Sequence, residues 1–110
     1  MTLNDLFLHK NINAGVRRFR NTPGSVLLDV RTHDEYRDYH IAGSLNLPLQ
    51  EIHLAENRLA DKETVIYVHC LSGRRSAQAA AALKQLGYRN VVDIGGLSGY
   101  NGETVNGSRT

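Results

Sequence analysis

The chain has 110 residues, 41% of them hydrophobic, enough for one small globular domain with a single core and too little for two. Thirteen basic residues against eleven acidic ones leave a formal charge of +2, spread without the basic face that nucleic-acid binding needs. One cysteine excludes an internal disulfide and any multi-cysteine metal site, and no apolar run reaches the ~18 residues of a membrane helix.

The first residues carry no charged segment followed by an apolar one, so the expectation is a soluble, cytoplasmic protein with no membrane or nucleic-acid partner. The lone cysteine agrees with a reducing compartment. Residues 1–110 read as one domain, with a core over about 12–100 and a polar, fraying tail over 101–110.

Met1 to Lys10 carries Leu3, Leu6, Phe7 and Leu8, a pattern too brief to assign. Asn13 reads as the N-cap of a short helix over Ala14 to Arg20, with Val16 and Phe19 buried and Arg17, Arg18 and Arg20 on a solvated face. Asn-Thr-Pro-Gly at 21–24 is a turn, and Ser25 to Val30 is apolar up to Asp29, as expected of a strand covered on both faces. Thr32 followed by Glu35 matches a capping box and starts a helix from His33 to about Tyr39. The chain then turns at Gly43, offers a short strand over Leu45 to Leu47, and reads as helical over Gln50 to Leu59, with Ile52, Leu54, Ala55 and Leu59 to bury.

The most informative stretch is Thr64 to Gly87. Val65, Ile66 and Val68 are β-branched in a run too short for a helix, while Ser76 to Leu86 is rich in helix formers and stops at Gly87, a left-handed C-cap. Cys70 therefore sits where a strand ends and a helix is about to begin. The first turn of a helix has unpaired N–H groups and the positive end of the dipole, so this position is suited to an anion. Gly73 allows backbone angles that other residues resist, the N–H groups of Leu71, Ser72, Gly73, Arg74, Arg75 and Ser76 can line one concavity, and the two arginines add charge. A free cysteine is ordinarily a small buried apolar residue. A glycine and two arginines within the next five positions favour the other reading, a nucleophilic thiolate stabilised by the helix and the cations. Asn90 to Ile94 is a further strand, and Gly95 to Tyr100 is too glycine-rich to be regular.

Strands alternating with helices imply an α/β three-layer sandwich: a mainly parallel central sheet with helices on both faces. Sites in such sheets lie beyond the carboxyl ends of the strands, where Asp29, Arg31 and Cys70 all fall.

In this order the chain resembles a single-domain rhodanese. The matching pieces are Asp29-Val-Arg31 with Glu35-Tyr36, then His40 to Ser44, Asn46 to Pro48, the loop Cys70 to Ser76, and Gly95 to Leu97, spanning about residues 12 to 100. The resemblance implies a sulfurtransferase: Cys70 takes a sulfane sulfur from a donor such as thiosulfate as a persulfide and passes it to cyanide or a thiol. The backbone of Leu71, Ser72, Gly73, Arg74 and Arg75 would cradle that sulfur, Arg75 closing the loop onto its carbonyls or the bound anion. Arg74 would face outward to an anionic donor. The aromatic after the double glycine, commonly Trp in relatives, is Tyr100 here, and the loop does not closely match those of the two-domain thiosulfate and mercaptopyruvate enzymes.

Two other readings remain: a non-catalytic rhodanese-like binding or sulfur-relay module, and a phosphatase or arsenate reductase. Related phosphatases place five residues between cysteine and arginine, whereas four separate Cys70 from Arg75, a ring better sized for a persulfide sulfur. Among supporting residues, Asp29 is expected to anchor neighbouring loops, Arg31 and Glu35 to form an ion pair on the rim, and His40 to close the turn from Ile41 to Ser44. His69 precedes Cys70 directly, and adjacent strand residues point to opposite faces, so a Cys–His dyad is not expected. No metal or cofactor is called for. With one cysteine the persulfide cannot resolve internally, so its acceptor is external: cyanide in an assay, a small thiol, a thioredoxin-like protein or a sulfur-relay partner.

Overall fold

The computed structural model describes residues 10–107, so of the stretch Met1 to Lys10 only Lys10 falls within it. The chain runs α1 (Ile12–Arg20), β1 (Val26–Asp29), α2 (His33–Asp38), β2 (His40–Ile41), β3 (Leu45–Asn46), a 3₁₀ segment (Leu49–Leu54) continuing into α3 (Ala55–Arg58), β4 (Val65–Cys70), α4 (Arg74–Gln85), β5 (Asn90–Gly96), a 3₁₀ turn (Leu97–Gly99) and β6 (Thr104–Val105). Four strands form a parallel sheet in the order β3-β1-β4-β5, and β2 pairs antiparallel with β6. The fold is the expected α/β sandwich.

Each face of the sheet has its own apolar layer. On one, Leu28, Ile66, Val68 and Cys70 pack against Ala79 and Leu83 of α4, with Ala55, Leu59 and Tyr88 around them. On the other, Leu27, Tyr67 and Ile94 pack against Ile12 and Val16 of α1, with Ile41 and Leu97. Helix α1 approaches closely because residue 15 is glycine: a Cβ there would stand 2.5 Å from the Ile94 side chain. In the register, Asp29 lies opposite His69, and Cys70 opposite Gly96, after a bulge between Val68 and His69. Three strand ends therefore meet at one rim.

Local sequence signals placed most elements, with revisions at their ends. Helix α1 is capped by Asn11, whose side chain accepts from Asn13 and Ala14, and not by Asn13. The capping box of α2 is present, Thr32 and Glu35 each accepting from the other's backbone. The helix expected over Gln50 to Leu59 is mostly 3₁₀, becoming α only at Ala55; Leu54 is exposed, while Ala55 and Leu59 are buried. Helix α4 starts at Arg74, two residues before Ser76, and Gly87 follows its end at φ +101° as a left-handed cap. Strand β5 extends into the glycine pair. Within the stretch expected to fray, Thr104 and Val105 pair with Ile41 and His40. His40 ties the chain back to α2: its Nδ1 donates to the Tyr36 carbonyl at 2.7 Å and its ring stacks on Tyr36 at 3.7 Å.

Candidate active site

Cys70 ends β4 fully buried, with 0% of its surface exposed. A strand ending in a sharp turn presents its last side chain to that turn, and here the Gly73 N–H donates to Cys70 Sγ at 3.0 Å. Gly73 has φ +100°, a left-handed conformation that β-carbons disfavour, and it caps α4. The Ser76 hydroxyl donates to the Gly73 carbonyl at 3.1 Å, and its oxygen lies 3.6 Å from Sγ. A hydroxyl carries one proton, so with that proton on Gly73 the Ser76 oxygen can only accept from the thiol. The turn is thus three residues long, Leu71 to Gly73, and Arg74 and Arg75 already belong to the helix.

Beneath the turn runs the end of β5. A Cβ on Gly96 would stand 2.5 Å from the Leu71 carbonyl oxygen and 2.8 Å from the Ser72 carbonyl carbon, so only glycine admits the turn at this distance. Ser98 N–H donates to the same Leu71 oxygen at 3.0 Å. The segment after β5 is tied in turn to α1, where Asn13 donates to the Gly99 carbonyl at 3.0 Å and accepts from Asn101 N–H at 2.9 Å.

The charged residues pair differently from the expectation. Arg31 does not meet Glu35. Its Nε and Nη2 reach the Asp29 carboxylate at 3.0 and 2.8 Å, both side chains being essentially unexposed, and Nη2 also donates to the Tyr39 carbonyl at 2.7 Å. Asp29 further accepts the Arg31 N–H, so its anchoring of the chain after β1 is as expected. Glu35 meets Arg75, whose two terminal nitrogens donate to the two carboxylate oxygens at 2.6 and 2.9 Å. That fork holds the Glu35 carboxyl down to about 2, from an ordinary 4.5, and raises Arg75 in return. Arg75 therefore braces α4 against α2, and its donors are not spent on loop carbonyls. Arg74 and Ser72 are exposed beside the turn. Asn46 completes the rim, donating to the carbonyls of Asp29 and Arg31.

His69 lies next to Cys70 in the chain and makes no contact with its sulfur. Its Nδ1 is 3.2 Å from the Cys70 carbonyl oxygen and its Nε2 is 3.8 Å from Asp29 Oδ2, in a fully buried position. Burial pushes the imidazole below its ordinary range. Neither this environment nor the Glu35–Arg75 pair has a local sequence signal, the latter joining residues 40 positions apart. Among the described residues no group of three or more His, Cys, Asp or Glu side chains could hold a metal ion, and no helix is long and apolar enough to cross a membrane.

The chain is similar to known proteins in sequence and fold. Residues 13–103 match the rhodanese-like domain family. The thiosulfate sulfurtransferase PspE of Escherichia coli is 38% identical over 74 residues, covering 64% of this chain and 68% of that protein. The adenylyltransferase and sulfurtransferase Uba4 of Ogataea parapolymorpha is 37% identical over 92 residues, covering 83% of this chain but 24% of that protein, so the chain spans about a quarter of that relative's length. A solved structure described as a rhodanese with anions from Escherichia coli superposes with a TM-score of 0.70 at 33% identity, covering 76% of this chain and 99% of that one. With a cysteine at the end of its central strand, a glycine-capped turn after it and these relatives, the chain belongs to the rhodanese-like domain family.

Proposed function

We propose that this protein is a sulfurtransferase that carries a sulfane sulfur as a persulfide on Cys70. The observation that carries the reading is the Gly73 N–H directed at Cys70 Sγ from 3.0 Å, at the head of a helix whose first turn holds two arginines. Donors fixed before reaction stabilise charge where it develops, and a sulfur anion is the charge this turn can serve. With thiosulfate as donor, the Cys70 thiolate attacks the outer sulfur, the new S–S bond forms, and the old S–S bond breaks with its electron pair leaving on sulfite. The terminal sulfur then takes over the loop donors, and the exposed Arg74 attracts the anionic donor beside the turn. Cyanide or an external thiolate attacks that terminal sulfur and returns Cys70 as thiolate. The acceptor is external because the chain has no second cysteine. The named sulfurtransferase activity of the Uba4 relative supports sulfur transfer, and a relative in Bacillus subtilis named as a putative sulfur carrier protein supports a relay role.

Intact mass spectrometry after incubation with thiosulfate or polysulfide tests the reading. One added sulfur atom is expected on the wild type, removable by cyanide and absent from Cys70→Ser. A sulfur adduct on Cys70→Ser contradicts the assignment, and Cys70-dependent hydrolysis of an aryl phosphate as fast as sulfur transfer favours the phosphatase reading.

A further inference from the structure

We propose that His69 is a positioning residue for Cys70, acting through the Cys70 carbonyl and not through the sulfur; the inference rests on the persulfide reading above. The Cys70 carbonyl oxygen, 3.2 Å from His69 Nδ1, can only accept, so the bond places the ring proton on Nδ1. Nε2 of the neutral ring is then an acceptor, and it is buried without a hydrogen-bond partner. The Asp29 oxygen 3.8 Å away is an acceptor too and is already engaged by Arg31. A buried acceptor with no donor destabilises the folded state.

His69 lies opposite Asp29, while the remainder of this face of the sheet, Leu27, Tyr67 and Ile94 among it, is apolar, and an apolar residue at 69 would avoid the penalty at Nε2. What the histidine adds is the bond to the Cys70 oxygen. No peptide bond among the described residues is cis, so the unit joining Cys70 to Leu71 is planar and trans, and a carbonyl held on the ring turns the Leu71 N–H the opposite way. This unit is the step from β4 into the turn. From the turn's other end the Gly73 N–H reaches Sγ, and Ser98 fixes the next carbonyl, that of Leu71. His69 therefore sets the direction in which the turn leaves the strand, and with it the geometry at the sulfur.

The two ring nitrogens can be replaced separately, since the amide nitrogen of Asn falls near Nδ1 and that of Gln near Nε2. In thiocyanate formation from thiosulfate and cyanide, His69→Asn is expected to stay within about threefold of wild-type kcat, while His69→Gln and His69→Leu lose about tenfold with KM for thiosulfate little changed. Equal kcat in all four proteins, or rescue by Gln in place of Asn, overturns the proposal. Nitrogen-15 NMR of the wild-type ring near neutral pH needs no turnover and no variant: a protonated Nδ1 is expected, and a proton on Nε2 overturns the assignment. If the wild type takes up no sulfur, the functional reading fails, and the rate of Cys70 alkylation by iodoacetamide replaces kcat as the readout for the same three variants, with the same order expected.

Discussion

Cys70 and Arg75 flank one turn of chain, yet the first answers to the backbone and the second to a side chain 40 residues away. The consequence is sharpest for Glu35. Its carboxyl titrates near 2 in the folded protein against an ordinary 4.5, chiefly because the Arg75 fork stabilises the anion. The unfolded chain therefore takes up a proton in this window that the native state refuses. The stabilisation is complete above about 4.5 and is lost as the pH falls towards 2. Denaturant unfolding of wild type and Glu35→Gln should accordingly show the largest stability difference near neutral pH, shrinking below about 4.5. A difference constant between neutral and strongly acidic pH would mean that the pair does not form in solution. Glu35→Gln should also loosen the first turn of α4, lowering sulfur transfer without abolishing it, because Gly73 and Cys70 remain.

At the scale of elements, the site is an approach of two backbones. The turn after β4 rests on the end of β5, and the missing side chain of Gly96 creates the space. Placing a methyl group 2.5 Å from a carbonyl oxygen forces one backbone to move, and neither is a flexible side-chain tip that could yield. Gly96→Ala is thus expected to displace the turn, cutting persulfide formation at least about tenfold, since misplacement of a reacting group by ~1 Å costs on the order of a hundredfold. Urea unfolding with mass-detected sulfur loading separates the effects: loading lost from protein that still unfolds cooperatively is the expected result, and wild-type loading rates would contradict the close approach. Gly15→Ala is a control on the other face. A helical alanine gains about 1 kcal/mol over glycine. The clash with Ile94 costs about 1–3 kcal/mol by overpacking, so a net loss of stability is expected with the turn untouched.

Across the whole molecule, the end of the sheet is held by a buried ion pair that reaches from β1 to the residue just past α2. Arg31 is bonded to Asp29 and also to the Tyr39 carbonyl, directly before β2, which β6 covers. Removing the carboxylate strands a guanidinium in the interior. Asp29→Ala is expected to destabilise the protein by about 3–5 kcal/mol. Against a total of about 5–15 kcal/mol that change is global, and it should lower the unfolding midpoint by every probe together. Replacing Asp29 and Arg31 together by apolar residues should recover part of the loss, since the isolated charge is what costs most. A single-variant loss below about 1 kcal/mol would indicate that water reaches the pair.

The sequence by itself determined what neighbouring residues decide. The β-branched run ending at Cys70, the glycine at 73, the helix formers up to Gly87 and the capping box of α2 act within one or two turns of chain, where spacing is geometry. The alternation of strands and helices then led to the parallel sheet, and the ordered short motifs to the family. Only the tertiary structure decided that Arg75 meets Glu35. On sequence proximity Glu35 pairs with Arg31, but Arg31 takes the Asp29 carboxylate two residues before it, and the packing of α4 brings Arg75 to Glu35 from 40 positions away. The same holds for the pairing of Thr104 and Val105 with β2, which polar composition concealed, and for the unpaired Nε2 of His69. Charge pairing and burial depend on where distant segments meet in space, and a backbone pattern that is local along the chain carries no record of that meeting.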